Sequence, residues 1–201
     1  MTASNSLPSD QAFPKDNSFP MEIEGKYRVA DEEHLRGRLR EAHAEVLGAE
    51  SHCDTYLRHP SRDFRVTDEA LRLRNLNGNL FVTYKGPRLE GALKMRPELE
   101  VPLAQETFEP WLRIWKSLGF EVVATVKKTR ESFRVAAIHS AVTVTIDRVA
   151  GIGTFAEVER VVDNEQELVA ARQDIEAIAT RLGLDTVEKQ SYLSMFLEQN
   201  R

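Results

Sequence analysis

Cysteine is almost absent: the 201-residue chain carries one, Cys53. No internal disulfide can form, so nothing in the sequence asks for an oxidising compartment. Long apolar runs are missing as well. No stretch approaches the roughly 20 residues that a membrane helix needs, and the N-terminus lacks the apolar stretch of a secretory signal. The expectation is a cytoplasmic protein with no membrane partner. Positive charge is not in excess, since 27 Lys and Arg face 32 Asp and Glu for a formal net charge of -5. A general nucleic-acid binder needs a basic surface to displace counterions, and that class is disfavoured. His34, His43, His52, His59 and His139 do not cluster at metal-ligand spacing. Gly151-Ile152-Gly153 has no helix after it and reads as a hairpin turn, not a phosphate loop.

The length suggests one domain, or one domain with a tail, and is enough to bury a sizeable core. Residues 1–19 are rich in Ser, Pro, Asn and Asp without hydrophobic period, and read as a disordered tail before a domain over 20–201. Period-two alternation marks strands near 21–30, 53–57, 70–75, 79–86, 93–102, 120–131, 132–137, 141–149 and 154–162. Asn77–Gly78 is a hairpin signal between two of them. Helical patterns follow Asp31 to about Leu47, cover 107–118 with Gly119 as the stop, and start at Asp163 with Gln166 in a capping-box position. A short helix near 191–198 closes the chain. Strand-rich sequence with a few separate helices reads as α+β, or as a β-barrel with packed helices. Trp111 and Trp115, four apart on a helix, share one face and read as core, a homodimer contact being the alternative.

The polar faces of these strands are unusual. Successive side chains of a strand point to opposite faces, so Glu22, Glu24, Lys26 and Arg28 share one face while Ile23, Tyr27 and Val29 share the other. The habit recurs. Arg72 and Arg74 line up, as do Thr83 and Lys85; Lys94, Arg96, Glu98 and Glu100; Lys128 and Arg130; Thr143, Thr145 and Asp147; and Glu157 and Glu159. For one strand a solvated, ion-paired surface is explanation enough. For seven strands, with Glu a poor strand former, a barrel with apolar residues outward and charges facing a lumen accounts for all of them together.

Arg and Lys from several strands would cage a polyanion, Arg as a planar fork and Lys as a point charge. Carboxylates cannot bind phosphate directly, but can hold Mg²⁺ or Mn²⁺ that bridges to phosphate oxygens. Acids and bases in one cavity therefore point to a metal–polyphosphate complex.

At these residues the chain resembles the CYTH domains, or triphosphate tunnel metalloenzymes. Their Glu-x-Glu-x-Lys signature is matched by Glu22, Glu24 and Lys26, and the later charges follow in order: Arg72 and Arg74, Lys85 ahead of Gly86 and Pro87, Arg96, Glu98 and Glu100, Lys128 and Arg130, Asp147, then Gly153, Phe155, Glu157 and Glu159. The resemblance covers about residues 21–197. Within the family the chain is most similar to the class IV adenylyl cyclase branch, through Asp54-Thr55-Tyr56, the stretches 59–64 and 67–72, and Ser191–Tyr192. Where some characterised cyclases of that branch carry His-Phe, this chain has Asp16 and Asn17, with Phe19 alone nearby.

The resemblance implies an eight-stranded antiparallel tunnel with helices outside. It implies Mg²⁺ or Mn²⁺ held by Glu22, Glu24, Glu157 and Glu159, with Glu98, Glu100 and Asp147 as further candidates. It implies a triphosphate cage of Lys26, Arg72, Arg74, Lys85, Arg96, Lys128 and Arg130, with Lys189 reaching in from the C-terminal segment. Glu22, Glu24, Lys26 and Lys85 are the residues expected in the chemical step. The implied reaction is ATP cyclisation to cyclic AMP and pyrophosphate; the alternative is hydrolysis of inorganic, thiamine or nucleoside triphosphate, and a non-catalytic nucleotide or polyphosphate sensor stands behind both.

Overall fold

Period-two alternation produces eight strands, and their pairing closes on itself. The computed structural model describes residues 20–89 and 93–200; the expected tail, including Asp16, Asn17 and Phe19, lies outside them. In chain order the elements are β1 (Met21–Arg28), α1 (Glu32–Glu41), β2 (Glu45–Arg58), α2 (Phe64–Thr67), β3 (Ala70–Leu76), β4 (Asn79–Lys85) and β5 (Lys94–Leu103). Then come α3 (Phe108–Ser117), β6 (Glu121–Val135), β7 (Val142–Val149), β8 (Gly153–Val162), α4 (Leu168–Leu182) and α5 (Tyr192–Gln199). The strands form a closed barrel in the order β1-β5-β4-β3-β2-β6-β7-β8, every pair antiparallel. Closure leaves no sheet edge exposed. No helix is long and apolar enough to cross a membrane among the described residues.

The apolar strand faces point outward, as expected, and helices cover them. Ile23, Tyr27, Val144, Ile146 and Val158 pack with Leu35 and Leu39 of α1 and with Ile175, Ile178 and Leu182 of α4. Leu57, Leu71 and Leu73 pack under Leu112 of α3. Trp111 and Trp115 stack at 6.4 Å between centroids against this second cluster, which is the core role expected of them. The β3–β4 turn has φ of 49° at Asn77 and 91° at Gly78, the left-handed pair that a two-residue hairpin requires.

Three boundaries differ from the sequence reading. The helix expected to run to about Leu47 stops at Glu41, and β2 begins at Glu45, eight residues before the expected strand. Its early half is held by β6, from Glu45↔Arg134 onward, with a register shift between Val46 and Gly48. That long-range pairing overrides the helical propensity of the Ala- and Glu-rich stretch. The two runs on either side of residue 132 are one strand, β6. The capping group ahead of α4 is Asn164 and not Asp163, with its side chain accepting from the Glu167 N–H at 3.2 Å.

The last helix does not lie on the outer wall. Its Tyr192 and Met195 pack against Tyr56, Val126, Val149 and Phe155, which lie two residues from Asp54, Lys128, Asp147 and Glu157 on the same strands and so face inward with them. The α5 helix therefore stops one mouth of the barrel.

Candidate active site

The inward faces enclose a cavity of about 820 Å³, lined by charged residues of β1, β3, β4, β5, β6 and β8 and by one flank of α5. Its acids divide into two sets. Glu22, Glu24 and Glu159 bring carboxylate oxygens within 4.8 Å of one another. Glu24 and Glu159 are direct cross-strand partners, an arrangement of like charges that costs stability when uncompensated. Burial pushes the Glu159 carboxyl up to about 7, with Glu22, Glu157 and Glu24 adding to the rise against the pull of Arg130. Lys85 and Lys94 each reach one member of the trio, and a divalent cation would neutralise the crowding that remains around Glu159. Three hard oxygen ligands on rigid strands, with room for water and phosphate oxygens, fit Mg²⁺ or Mn²⁺.

The other acids are each held by a cation. Asp147, fully buried, accepts from Lys128 and from both sides of the Arg130 fork at 2.7 Å each. Burial opposes its ionisation, yet Lys128 and Arg130 hold its carboxyl below the usual range. Glu157 contacts Arg130 and lies 3.4 Å from Lys26. Glu98 lies 2.7 Å from Lys85, and Glu100 lies 3.7 Å from Arg74 and accepts from Thr83 at 2.7 Å. Lys85 also donates to Glu22 at 2.5 Å, joining the acid trio to the cage.

The expected cage assembles from five strands. Lys26, Arg72, Arg74, Lys85, Arg96, Lys128 and Arg130 all line the cavity. Lys128 is held by burial, and by Arg130 beside it, down to about 8: the cations crowd one another. A polyanion would relieve that crowding. Two lumen-facing atoms, Arg72 Nε and Thr145 Oγ1, are buried without a hydrogen-bond partner. Buried polar atoms are rarely left so, and both suit phosphate oxygens or the water around them.

Lys189 does not join the cage. Tyr27 bridges Val187, and the Glu188 N–H donates to the Lys26 carbonyl at 2.8 Å. This extended pairing turns Glu188 inward, where it meets Arg28 at 2.5 Å, and leaves the Lys189 side chain exposed. Lys189→Ala is expected to leave kcat and KM within about twofold of the parent, as surface changes do; a tenfold rise in KM would put it back in the cage.

Three residues to which the sequence reading gave no metal or phosphate role join the site. Asp54, buried on β2, takes the Arg74 fork at 2.8 and 2.9 Å and lies 3.4 Å from Arg72. Its period-two alignment with Tyr56, opposite Arg72 and Arg74, was the available signal. Lys94 donates to Glu24 at 3.2 Å and is lowered to about 8 by burial; it shares the face of Arg96 and was legible there. Tyr192 donates to Asp147 at 3.0 Å and carries Lys26 Nζ 3.8 Å above its ring. The sequence reading set Tyr192 at the barrel mouth by packing alone, and it is there; its contacts with Asp147 and Lys26 have no local signal.

With this geometry established, similarity to known proteins can be stated. The family model described as the CYTH domain matches residues 20–192. A Methanocaldococcus jannaschii protein named "putative adenylate cyclase MJ0240" is 33% identical over 177 residues, covering 87% of this chain and 98% of that protein. An Aeromonas hydrophila protein named adenylate cyclase CyaB is 29% identical over 179 residues, 87% of each chain. The solved structure of PH1819 from Pyrococcus horikoshii OT3 superposes with a TM-score of 0.76 at 37% identity, over 91% of this chain and all of that one.

Proposed function

Because the chain belongs to the CYTH domain family, we propose that it is a divalent-metal-dependent enzyme whose reaction is that of a class IV adenylyl cyclase, ATP to cyclic AMP and pyrophosphate. Members of the family are adenylyl cyclase-like or triphosphatase enzymes. The observation that carries the reading is the union, in one cavity, of a three-carboxylate cluster with a ring of buried cations. Anion binding alone would need only the cations, which argues against a sensor.

In this reading Glu22, Glu24 and Glu159 hold Mg²⁺ or Mn²⁺, which when bound neutralises phosphate charge and polarises phosphate oxygens. The remaining acids serve the cations. Asp54 and Asp147 fix the forks of Arg74 and Arg130 before substrate arrives, so little reorganisation is left for the reaction itself. Lys26, Arg72, Arg74, Arg96, Lys128 and Arg130 bind the triphosphate along the lumen, and Lys85 ties that row to the acid trio. The ribose 3′ oxygen attacks the α-phosphorus, the bond to the β-phosphate oxygen breaks, and the hydroxyl proton passes to a lumen carboxylate. Charge growing on the pyrophosphate leaving group falls on the cations.

A second reading rests on one sequence feature, Asp16 and Asn17 standing where some characterised cyclases carry His-Phe. In it the same cage presents the terminal phosphorus to water, and the protein is a triphosphatase. Product analysis decides. The protein is incubated with Mg²⁺ or Mn²⁺ and, separately, with ATP and inorganic triphosphate. Cyclic AMP with pyrophosphate establishes the cyclase; orthophosphate without cyclic AMP establishes the triphosphatase; no turnover of either removes the enzymatic reading.

A further inference from the structure

Lys26 differs from other lysines of the cage in how it is held. Lys85 donates to Glu22 at 2.5 Å and Lys128 donates to Asp147 at 2.7 Å, each in a short bond to a carboxylate. Lys26 is as deeply buried, at 4% exposure, but its polar contacts are long. Glu157 lies 3.4 Å from Nζ, and the Gln190 carbonyl lies at 3.4 Å. The close neighbour is an aromatic ring. Nζ stands 3.8 Å from the centroid of Tyr192. Burial opposes the ammonium charge, while Glu157 and Glu24 hold it above the ordinary lysine range.

An aromatic face attracts a cation through its quadrupole, and more strongly where water is excluded. It also does something a carboxylate cannot. A carboxylate partner sets negative charge where a phosphate must approach, and competes with it for the N–H donors. A ring stabilises the ammonium without either effect. The ring is itself held firmly. Tyr192 is 8% exposed, its edge meets Phe155 with centroids 5.2 Å apart, and its hydroxyl donates to Asp147 at 3.0 Å. Burial, with Glu157 and Asp147 close by, pushes the phenol well above its usual range, so it stays a donor. Ser191 caps α5 by accepting from the Ser194 N–H at 3.0 Å, which places Tyr192 in the first turn.

We infer that Tyr192 is a positioning residue for the reaction: its ring holds the Lys26 ammonium in the lumen with donors to spare for phosphate oxygens. The helix that stops the barrel mouth is thereby part of the binding machinery. The inference rests on the triphosphate reading of the lumen. Tyr192 takes no part in bond breaking and acts through Lys26.

The test is calorimetric titration with inorganic triphosphate in EDTA, which reads the cage without metal or turnover. Parent, Tyr192→Leu, Lys26→Gln and the double variant form a cycle, with circular dichroism to confirm each fold. Each single variant is expected to lose about tenfold in affinity, the scale of a desolvated cation–π contact. The double variant should lose no more than Lys26→Gln, because without the ammonium the ring has nothing to hold. Losses that multiply overturn the inference and leave Tyr192 a packing residue. Tyr192→Phe keeps the ring and drops one hydrogen bond, and its affinity should stay within about threefold of the parent. A loss as large as that of Tyr192→Leu would make the bond to Asp147 the operative contact and overturn the role of the ring. Phenylalanines with successive fluorines at position 192 keep the shape and weaken the ring face, so they decide the matter even if Tyr192→Leu does not fold. Affinity should fall with each fluorine, and a flat series overturns the inference while leaving the tunnel intact. A parent that does not bind triphosphate overturns the tunnel reading and this inference with it.

Discussion

Excess EDTA is expected to abolish turnover, and Glu22→Gln and Glu159→Gln are each expected to lower kcat by about 100-fold or more, on the scale of removing a group that stabilises developing charge. The folded structure should survive both changes, and Glu159→Gln should become more stable. Three carboxylate groups lie within 4.8 Å with Arg130 the nearest cation to Glu159, at 3.8 Å. Burial, together with repulsion from Glu22, Glu157 and Glu24, outweighs that one long ion pair, and the Glu159 carboxyl sits at about 7 in the folded protein against about 4.3 for an ordinary Glu. The sign follows by linkage. Between those values the folded state holds a proton that the unfolded state has released. The stability this group contributes is therefore fully present below the unfolded pKa and lost as pH rises through about 7. Glu159→Gln has no such loss. Its metal-free melting temperature should match the parent at about pH 4 and exceed it at pH 8 by roughly 2–4 °C, the equivalent of about 1 kcal/mol in a chain of this size. Mg²⁺ or Mn²⁺ should raise the parent's melting temperature and not the variant's. A variant that melts well below the parent at pH 8 would make the trio a structural ion-pair network and remove it as a metal site.

Why the lumen was legible in the sequence and the strand pairing was not is a matter of how far each signal travels along the chain. Arg72 and Arg74, or Glu157 and Glu159, announce a common face by spacing alone, because a strand's side-chain period is two whatever it pairs with. Seven such faces could only converge inside a closed sheet, and they do. Pairing is a different matter. The early part of β2 reads as helix because its strand state is stabilised by β6, some 90 residues away in sequence (Glu45↔Arg134). The bulge at Val122 and Val123 is a register jump between the same two strands, and two adjacent valines look the same in sequence with or without it. Asp54 and Asp147 look like candidate metal ligands or turn formers until their Arg partners are seen, since a carboxylate's role is set by which cation lies within reach. The contacts of Tyr192 with Asp147 and Lys26 depend on how α5 turns into the barrel mouth, which no local pattern encodes.

Arg130→Ala is the other change with a large expected effect, and it should act on stability and activity together. Arg130 donates twice to Asp147 at 2.7 Å and also contacts Glu157, while Asp147 is 0% exposed. Removing the guanidinium strands two buried carboxylates that Lys128 and Lys26 alone must then neutralise. Breaking a buried pair from one side costs about 3–5 kcal/mol, or a drop of roughly 10 °C in melting temperature. Triphosphate binding loses a largely enclosed fork at the same time. Arg130→Lys keeps the charge but not the bidentate geometry, so it should recover much of the stability and little of the activity. The partner change separates the two roles. Asp147→Asn placed on Arg130→Ala removes the stranded charge and should restore several degrees of melting temperature, a coupling expected of residues in direct contact. Activity should stay lost, because the fork that meets phosphate is still missing. If the double variant recovered turnover along with stability, Arg130 would be a structural partner of Asp147 and no part of the cage. If Arg130→Ala lost activity without any loss of stability, the buried pair would not be what holds the lumen in shape, and preorganisation of the cage by its own carboxylates would have to be given up.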